Sequence, residues 1–233
     1  MTNRFIQDEL LNASIAFFDL DETITDEDTD SLWASWRSRR HPKGWVERAW
    51  LSKLYRDFRR GGMSIEEYMR YQKFRIGRLA ADEFRAMGEH FFNDDGRNHV
   101  YREAAELIRR LKGNGCRVVL LTAQHECIAG PYARYLGMDR MIANRFHDDG
   151  VRFTDPVRPY SFGDGKVELG KRYAAEAGIP LDRCAFFGDS IYDAPFLEMV
   201  GFPCAVNPDR LLEARAREKD WPVARFSGTE QAG

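Results

Sequence analysis

The stretch IAFFDLDET at residues 15–23 decides the fold of this 233-residue chain, because a short apolar run passes directly into a polar loop. Two further apolar runs, residues 118–121 and 184–187, also end at polar residues. The carboxyl ends of parallel strands meet at one edge of an open sheet, and ligands bind there. The polar residues predicted to converge on one crevice at that edge are Asp19, Thr122 and Asp189.

The remainder of the chain predicts an α/β fold with a doubly wound parallel sheet. From about residue 100 onward, strand-like and helix-like segments alternate, and a glycine follows four of the helical segments. Asp149-Gly150 predicts a hairpin between Ile142 and Thr154, and the chain from Asp209 predicts a final helix and a polar tail. The other predicted helices are Val100–Lys112, Tyr132–Leu136, Val167–Ala177 and Asp193–Val200.

Residues 26–99 interrupt this alternation. They are rich in aromatic and charged residues at helical spacing and contain no strand-like run. Because they follow the first strand, they are predicted to form a small helical cap over the crevice, where a cap can exclude bulk water. The predicted domains are a core at residues 1–25 and 100–233 and a cap at residues 26–99.

Composition is that of an ordinary globular protein, with 43% apolar and 31% charged residues and a net charge of -2. This charge gives no drive toward nucleic acid or an anionic membrane, so neither is expected as a partner. The N-terminus has no apolar signal segment, and no stretch approaches the roughly 20 apolar residues of a spanning helix, so we expect a cytoplasmic location. The four cysteines lack Cys-x-x-Cys spacing and are expected to be small, mostly buried hydrophobes.

Four motifs, at residues 17–23, 120–122, 165–166 and 188–193, together resemble those of the haloacid dehalogenase-like hydrolases. Within that family, the chain resembles the branch that contains phosphoserine and histidinol-phosphate phosphatases. The resemblance covers nearly the whole chain and implies a Rossmann-like core with a helical cap. It also implies a Mg²⁺-dependent phosphatase that acts through an aspartyl-phosphate on a small phosphorylated metabolite.

The resemblance assigns roles to individual residues. It implies that Asp19 is the nucleophile and that Asp21 is the general acid and base. Thr122 and Lys166 would clamp the phosphate group. The implied Mg²⁺ ligands and their supporting residues are the Asp19 carboxylate, the main-chain carbonyl of Asp21, the Asp189 carboxylate, Asp193 and Ser190.

These residue types suit phosphoryl transfer. A phosphate monoester is an anion, so a carboxylate can attack it only where positive charge is supplied, as Mg²⁺ and Lys166 can do. Asp19 and Asp21 lie two positions apart in an extended segment and therefore on the same side. One can attack phosphorus while the other handles the proton of the leaving group. Glu22 departs from the family, which more often has glycine there, so altered loop geometry and metal affinity are expected.

The acidic run at residues 26–30 enters the predicted cap beside the site, and two interpretations of it are open. Asp28 or Asp30 can cap the first cap helix. Alternatively, Asp28 can bind a substrate ammonium group, as an acidic residue at this offset from the nucleophile does in phosphoserine phosphatases. The second interpretation predicts an amine-bearing substrate.

Gln72 stands where phosphoserine phosphatases have a cap arginine that binds the substrate carboxylate. Arg70 or Arg75 could replace that arginine if the helix were shifted by one turn. The absence of the arginine favours a phosphorylated amino alcohol such as histidinol phosphate, with phosphoserine as the alternative. The predicted substrate-binding residues are Asp28, Gln72 and Ala123.

Other features of the sequence allow more than one interpretation. Trp33, Trp36, Trp45 and Trp50 are expected to form the core of the cap, with a substrate wall as the alternative. The basic stretch from residue 37 to residue 60 predicts a solvated helix face, with substrate steering or nucleic-acid binding as rivals. His125 is expected to contact substrate or to be a polar loop residue.

Three other functional classes share parts of this pattern. A dehalogenase does not need the second acid, so Asp21 argues against that activity. A phosphomutase or phosphotransferase would use every site residue named above and differ only in the acceptor. A non-catalytic binding protein is disfavoured because the whole set of site residues is present.

Overall fold

The computed structural model describes residues 10–40, 44–59, 62, 64–77 and 79–229. At its centre lies a six-stranded sheet in the order β3-β2-β1-β6-β7-β8, with parallel pairing throughout. A separate antiparallel pair, β4 and β5, forms the predicted hairpin. The strands are β1 (Ile15–Phe18), β2 (Arg117–His125), β3 (Arg140–Asn144), β4 (Phe146–Asp148), β5 (Phe153–Pro156), β6 (Cys184–Gly188), β7 (Phe202–Val206) and β8 (Val223–Ala224).

Helices cover both faces of the sheet, because alternate residues of each buried strand point to opposite sides. In β1, Ile15 and Phe17 belong to one hydrophobic cluster, whereas Ala16 and Phe18 belong to the other. This confirms the predicted doubly wound α/β fold. The helices are α1 (Thr29–Ser38), α2 (Gly44–Arg59), α3 (Ile65–Ile76), α4 (Ala81–Asp94), α5 (Arg102–Gly113), α6 (Glu126–Tyr135), α7 (Asp164–Glu176), α8 (Ala194–Leu197) and α9 (Arg210–Lys219).

The helices α1 to α4 lie between β1 and α5 in the chain, and we call them the inserted helices. Their core is aromatic, since the Trp33 ring lies 5.4–5.5 Å from the rings of Trp36, Phe84 and Phe91. Trp50 packs against Tyr71 and Phe74. The expectation that the tryptophans form a core is therefore correct for these three. It is wrong for Trp45, which is 67% exposed.

The basic stretch at residues 37–60 is only partly a solvated face. Arg39 and Arg40 lie at the surface in ion pairs with acidic residues of the α4 end. Arg37 instead is buried and forms an ion pair with Glu47 at 3.0 Å. The prediction of a solvated face is therefore wrong for Arg37, while Lys43 and Arg60 lie outside the described residues.

Several element boundaries differ from the predictions. The helix expected from Val100 begins at Arg102, because Val100 and Tyr101 form isolated bridges with Thr25 and Thr229. The helix expected at 132–136 begins six residues earlier, at Glu126, as α6, and its N-cap is His125. The helix expected at 193–200 is limited to α8, and the expected polar tail contains β8.

The cysteines are mostly buried, as expected. Cys116, Cys184 and Cys204 are buried and Cys127 is half-buried, and all four carry free thiols.

Among residues 10–40, 44–59, 62, 64–77 and 79–229, none of the helices combines the length and the hydropathy required to cross a lipid bilayer.

Candidate active site

Asp19 follows β1 at the carboxyl edge of the sheet, where its backbone geometry orients the side chain. The Asp19 N–H donates to the Phe187 carbonyl at 2.9 Å, and the Leu20 N–H donates to Asp19 Oδ1 at 2.7 Å. These bonds leave Oδ2 facing the ammonium group of Lys166, at 2.6 Å. Burial raises the pKa of Asp19 to about 7, although Lys166 opposes that rise.

Lys166 lies in the first turn of α7, and its side chain reaches the Asp19 carboxylate. Its Nζ atom donates to Asp19 at 2.6 Å and to Asp193 at 2.8 Å, and the side chain is buried. Burial alone would lower the pKa of this ammonium, but Asp19 and Asp193 raise it above its ordinary value. Lys166 therefore stays charged in the site.

The turn after β6 supplies two further carboxylates. Ser190 and Asp193 form a reciprocal capping box, which fixes this turn. Asp189 accepts a hydrogen bond from the Thr23 hydroxyl at 3.4 Å, and burial followed by the charge of Asp193 raises its pKa well above the usual range. Ligand atoms of Asp19, Asp189 and Asp193 lie within 4.8 Å of one another.

This group of carboxylates fits a hard divalent cation. Mg²⁺ prefers oxygen ligands and is held by one or two carboxylates plus substrate phosphate. The three buried carboxyl groups lie close together with one ammonium group beside them, so a divalent cation would stabilise their ionised forms. The predicted ligands Asp19 and Asp189 belong to this group, and Asp193, expected in support, stands among them.

Asp21 lies two residues beyond Asp19 and is half-buried. Its Oδ1 atom accepts two hydrogen bonds from Thr29, from the backbone N–H at 2.7 Å and from the hydroxyl at 2.5 Å. Burial, followed by the charge of Asp28, raises the pKa of Asp21 well above its ordinary value, whereas the Thr29 bonds oppose that rise. A carboxyl group that gains a proton readily suits the predicted acid and base role.

Glu22 occupies a backbone conformation that favours glycine. Its φ angle is 54°, in the left-handed region, where a side chain other than that of glycine or asparagine is uncommon. This explains why glycine is frequent at this position in the family that the motif resembles. The exposed Glu22 carboxylate also adds to the negative charge that acts on Asp189.

Thr122 lies inside β2, which continues to His125 instead of ending at Leu121 as expected. The register with β3 shifts between Leu121 and His125, and such an irregularity reorients side chains next to functional sites. The buried Thr122 hydroxyl oxygen accepts a bond from the Gln124 N–H at 3.0 Å, so its own hydrogen can be donated elsewhere. The Ala123 carbonyl accepts a bond from the Asn144 amide at 2.6 Å.

Asp28 is the N-cap of α1, as one of the two interpretations of the acidic run predicted. Its side chain accepts from the Ser31 N–H at 2.8 Å and from the hydroxyl of Tyr55 on α2. Burial, followed by the charge of Asp30, raises the pKa of Asp28 to about 7. The side chain remains half-buried, so capping leaves it partly accessible.

Gln72 and Arg75 belong to a fully buried polar cluster between the inserted helices and β2. Arg75 forms an ion pair with Asp30, and both side chains are almost completely buried. Gln72 accepts a bond from Arg75 and donates to the Tyr68 hydroxyl at 2.5 Å. Both terminal nitrogens of the Arg75 guanidinium group are thus bonded to partners from the protein.

His125 fits neither of the two expectations for it. The ring is fully buried, stacks on Phe146 and meets Phe84 and Phe153 edge-on. Its Nδ1 atom accepts the Cys127 N–H at 3.0 Å, which caps α6. Burial lowers the pKa of His125 well below its usual value, so this residue is a neutral core side chain.

Sequence reasoning missed Thr29 and Gln124, which lie next to residues that it identified. Thr29 is the middle residue of the run Asp28-Thr29-Asp30, and Gln124 is two positions after Thr122. The period of two along a strand places Thr122 and Gln124 on one face, which was the available signal. Only the structure places Thr29 against Asp21 and Gln124 against Thr29.

Comparison with known proteins identifies relatives of this chain. A family model for haloacid dehalogenase-like hydrolases matches residues 16–198. A histidinol-phosphatase of Neisseria meningitidis is 28% identical over 222 residues, which cover 91% of this chain and 99% of that protein. A probable phosphatase of Mycobacterium tuberculosis is 42% identical over 128 residues, which cover 55% of this chain. That match spans 45% of the mycobacterial protein, less than half of its length.

Solved structures share the same fold. A protein of unknown function from Bordetella pertussis has a TM-score of 0.79 and 29% identity, over 90% of this chain and 97% of that chain. A substrate-bound phosphoserine phosphatase has a TM-score of 0.64 and 17% identity, over 91% and 92% of the two chains. The parallel sheet, the motifs along its carboxyl edge and the match over residues 16–198 agree, and the chain belongs to the haloacid dehalogenase-like hydrolase family.

Proposed function

We propose that this chain is a Mg²⁺-dependent phosphate-monoester phosphatase that acts through an aspartyl-phosphate intermediate. The observation that carries the proposal is the contact of Asp19 Oδ2 with Lys166 at 2.6 Å, within a group of three carboxylates. A nucleophile, a fixed positive charge and a set of hard-cation ligands thus meet at one point. Mg²⁺ held by Asp19, Asp189 and the main-chain carbonyl of Asp21 would offset the charge of the phosphoryl oxygens.

The residues of the chain divide the reaction into two steps. In the first, an Asp19 oxygen bonds to phosphorus, the bond from phosphorus to the ester oxygen breaks, and Asp21 gives its proton to the departing alkoxide. In the second, Asp21 takes a proton from water as the water oxygen bonds to phosphorus and the bond to Asp19 breaks. Lys166 and Thr122 stabilise the phosphoryl oxygens in both steps.

The inserted helices would act as a cap in this reaction. Residues of α1 contact Asp21, and those of α3 contact the strand that carries Thr122. Closure over the sheet edge would exclude bulk water during the first step.

Phosphate release from a panel of monoesters tests the proposal. The panel contains histidinol phosphate, phosphoserine, phosphoethanolamine, sugar phosphates and 4-nitrophenyl phosphate, each with Mg²⁺ and with chelator. We expect release with Mg²⁺ and a loss of at least about a hundredfold with chelator, because the carboxylates would then repel the phosphate. Equal release under both conditions would contradict the metal requirement, and no release from any ester would contradict the phosphatase.

An amine-bearing substrate is the class that we propose. Asp28 is half-buried. Its charge and that of Asp30 act on Asp21, and the charge of Asp30 also acts on Asp28. The buried cations on this side, Arg37 and Arg75, are each paired with a buried carboxylate. A positively charged leaving group is therefore favoured, and a carboxylate is not, which favours histidinol phosphate over the alternative, phosphoserine. The relative from Neisseria meningitidis named histidinol-phosphatase agrees with this choice.

The affinity for amine-bearing esters is expected to depend on pH through Asp28. Because the pKa of Asp28 is raised to about 7, its carboxylate becomes fully charged only above that pH. The KM for phosphoethanolamine is expected to fall by about tenfold, relative to that for propyl phosphate, between about pH 6 and about pH 8. The two esters differ in an ammonium against a methyl group, and the ammonium lowers the second pKa of its own phosphate group. Each KM is therefore calculated on the concentration of the phosphate dianion, and the ratio of these values isolates the amine contact.

Asp28→Asn is the control for this measurement. The asparagine keeps an acceptor for the Ser31 N–H but carries no charge, so the ratio of the two KM values should no longer change with pH. An equal pH dependence of the ratio in the wild type and in the variant would show that another group binds the amine.

A further inference from the structure

We propose that Thr29 and Gln124 are positioning residues that orient the carboxylate of Asp21 for proton transfer to the leaving group. The proposal rests on the proposed phosphatase activity and concerns two residues outside the four motifs. Both are completely buried, Thr29 at the start of α1 and Gln124 near the end of β2. They join the general acid to the polar cluster between the sheet and the inserted helices.

A continuous chain of hydrogen bonds leads from Gln124 to Asp21. The Gln124 side-chain amide donates from Nε2 to the Thr29 hydroxyl oxygen at 2.8 Å. The Thr29 hydroxyl in turn lies 2.5 Å from Asp21 Oδ1, which also accepts the Thr29 backbone N–H at 2.7 Å. One oxygen of Asp21 is therefore held by two donors from a single residue.

The partners of Gln124 determine which groups donate and which accept along this series of hydrogen bonds. Its Oε1 atom accepts the His125 N–H at 2.8 Å and a guanidinium N–H of Arg75 at 3.0 Å. Its Nε2 atom also donates to Asp30 at 2.9 Å. The reversed amide would set its NH₂ group against the donors of Arg75 and His125, and would set its oxygen against the Asp30 carboxylate.

The orientation of Gln124 decides what the Thr29 hydroxyl can do. Because the hydroxyl oxygen receives a hydrogen from Gln124, the hydrogen of the hydroxyl is left to donate to Asp21. Oδ1 of Asp21 is then occupied as an acceptor, and Oδ2 is the oxygen that exchanges a proton with the leaving group or with water. In this role Gln124 acts on Asp21 through Thr29, and Thr29 acts through its direct contacts with Asp21.

Leaving-group dependence separates this role from a structural one. 4-Nitrophenolate leaves without help from an acid, whereas phenolate is a poorer leaving group and needs the proton more. Phenyl phosphate and 4-nitrophenyl phosphate have nearly the same shape, so a misplaced general acid affects the former more. The value of kcat/KM is the readout, because it reports the steps up to cleavage of the ester bond.

Three variants make the test. Thr29→Val removes the hydroxyl and keeps the shape and the backbone donor, and Thr29→Ser retains the hydroxyl. Gln124→Glu replaces the donor toward Thr29 with an acceptor, which draws the hydroxyl hydrogen away from Asp21. For Thr29→Val and Gln124→Glu we expect kcat/KM to fall about tenfold or more with phenyl phosphate, and less than about threefold with 4-nitrophenyl phosphate. Thr29→Ser should restore the wild-type ratio.

A double variant tests whether the two residues act in one chain. Thr29→Val with Gln124→Glu should be no slower on phenyl phosphate than Thr29→Val alone, because the second change has no hydroxyl to act on. Equal losses on both esters, or a failure of Thr29→Ser to restore the ratio, would overturn the proposal while leaving the phosphatase in place. Thermal unfolding of each variant checks the fold, and the ratio in Gln124→Glu serves as the test if Thr29→Val does not fold.

Discussion

Replacement of Asp19 by Asn is expected to lower phosphate release by about 10⁴-fold or more. An amide nitrogen and oxygen cannot replace the carboxylate as the group that bonds to phosphorus, and the loss of a covalent nucleophile has effects of this order in other enzymes. The measurement is the initial rate of phosphate release from the best ester of the panel, at saturating substrate and with Mg²⁺.

The same substitution is expected to leave the metal-free fold at least as stable as the wild type. The pKa of Asp19 is raised from 3.8 to about 7, so ionisation opposes folding, and stability falls as the pH rises between these values. Asparagine does not ionise and avoids this loss. At about pH 8 in chelator, the midpoint of thermal unfolding of Asp19→Asn should equal or exceed that of the wild type.

Asp155→Asn is the matched control for Asp19→Asn. Asp155 is an exposed carboxylate, paired with Lys73 at the surface, and lies outside the site. Its replacement should leave both the rate and the unfolding midpoint close to those of the wild type. A rate for Asp19→Asn within about tenfold of the wild type, with the fold intact, would mean that another group is the nucleophile.

Replacement of Arg75 by Met is expected to lower the free energy of unfolding by about 3–5 kcal/mol. Arg75 and Asp30 form an ion pair whose side chains are 0% and 3% exposed. Removal of the guanidinium leaves the Asp30 carboxylate buried without a compensating charge, and its neutral donors, Tyr68 and Gln124, offset only part of the cost. Denaturant unfolding with a common slope measures the change.

Lys73→Met provides the comparison on the same helix. Lys73 lies two positions before Arg75 in α3 and also forms an ion pair, with Asp155, but its side chain is 53% exposed. Solvent screens this pair, so its loss should leave the free energy of unfolding close to that of the wild type. Similar losses in the two variants would show that burial does not determine the contribution of the Arg75 pair.

Local sequence signals predicted the sheet because its strands carry unambiguous apolar runs. Ile15–Phe18 and Cys184–Gly188 are buried at every position, as expected of central parallel strands. The ends of some helices and strands were predicted less well. Val100 and Thr229 take part in bridges with residues far away in the chain, and no local pattern encodes such pairings.

The polar residues beside the site also divide into those that local sequence predicted and those whose place depends on packing. Asp28 was one of two residues predicted as a possible cap, because capping preference depends on residue type and position, and it is the N-cap of α1. His125 was expected to contact substrate or to be a polar loop residue, but it is buried among the rings of Phe84, Phe146 and Phe153. Its neighbours come from three different elements, so its environment depends on packing that local sequence does not reveal.

By itself, the amino-acid sequence determined the parallel sheet, the order of its motifs and the residue types along its carboxyl edge. These features depend on apolar runs, turn residues and short spacings, which act within a few positions of the chain. Tertiary structure alone decided that Lys166 contacts Asp19 and Asp193. It also decided that Arg75 forms an ion pair with Asp30, and that Gln124 donates to the Thr29 hydroxyl and so directs its hydrogen toward Asp21. Such contacts join residues up to 147 positions apart, and they form only when the helices pack on the sheet and water is excluded between them.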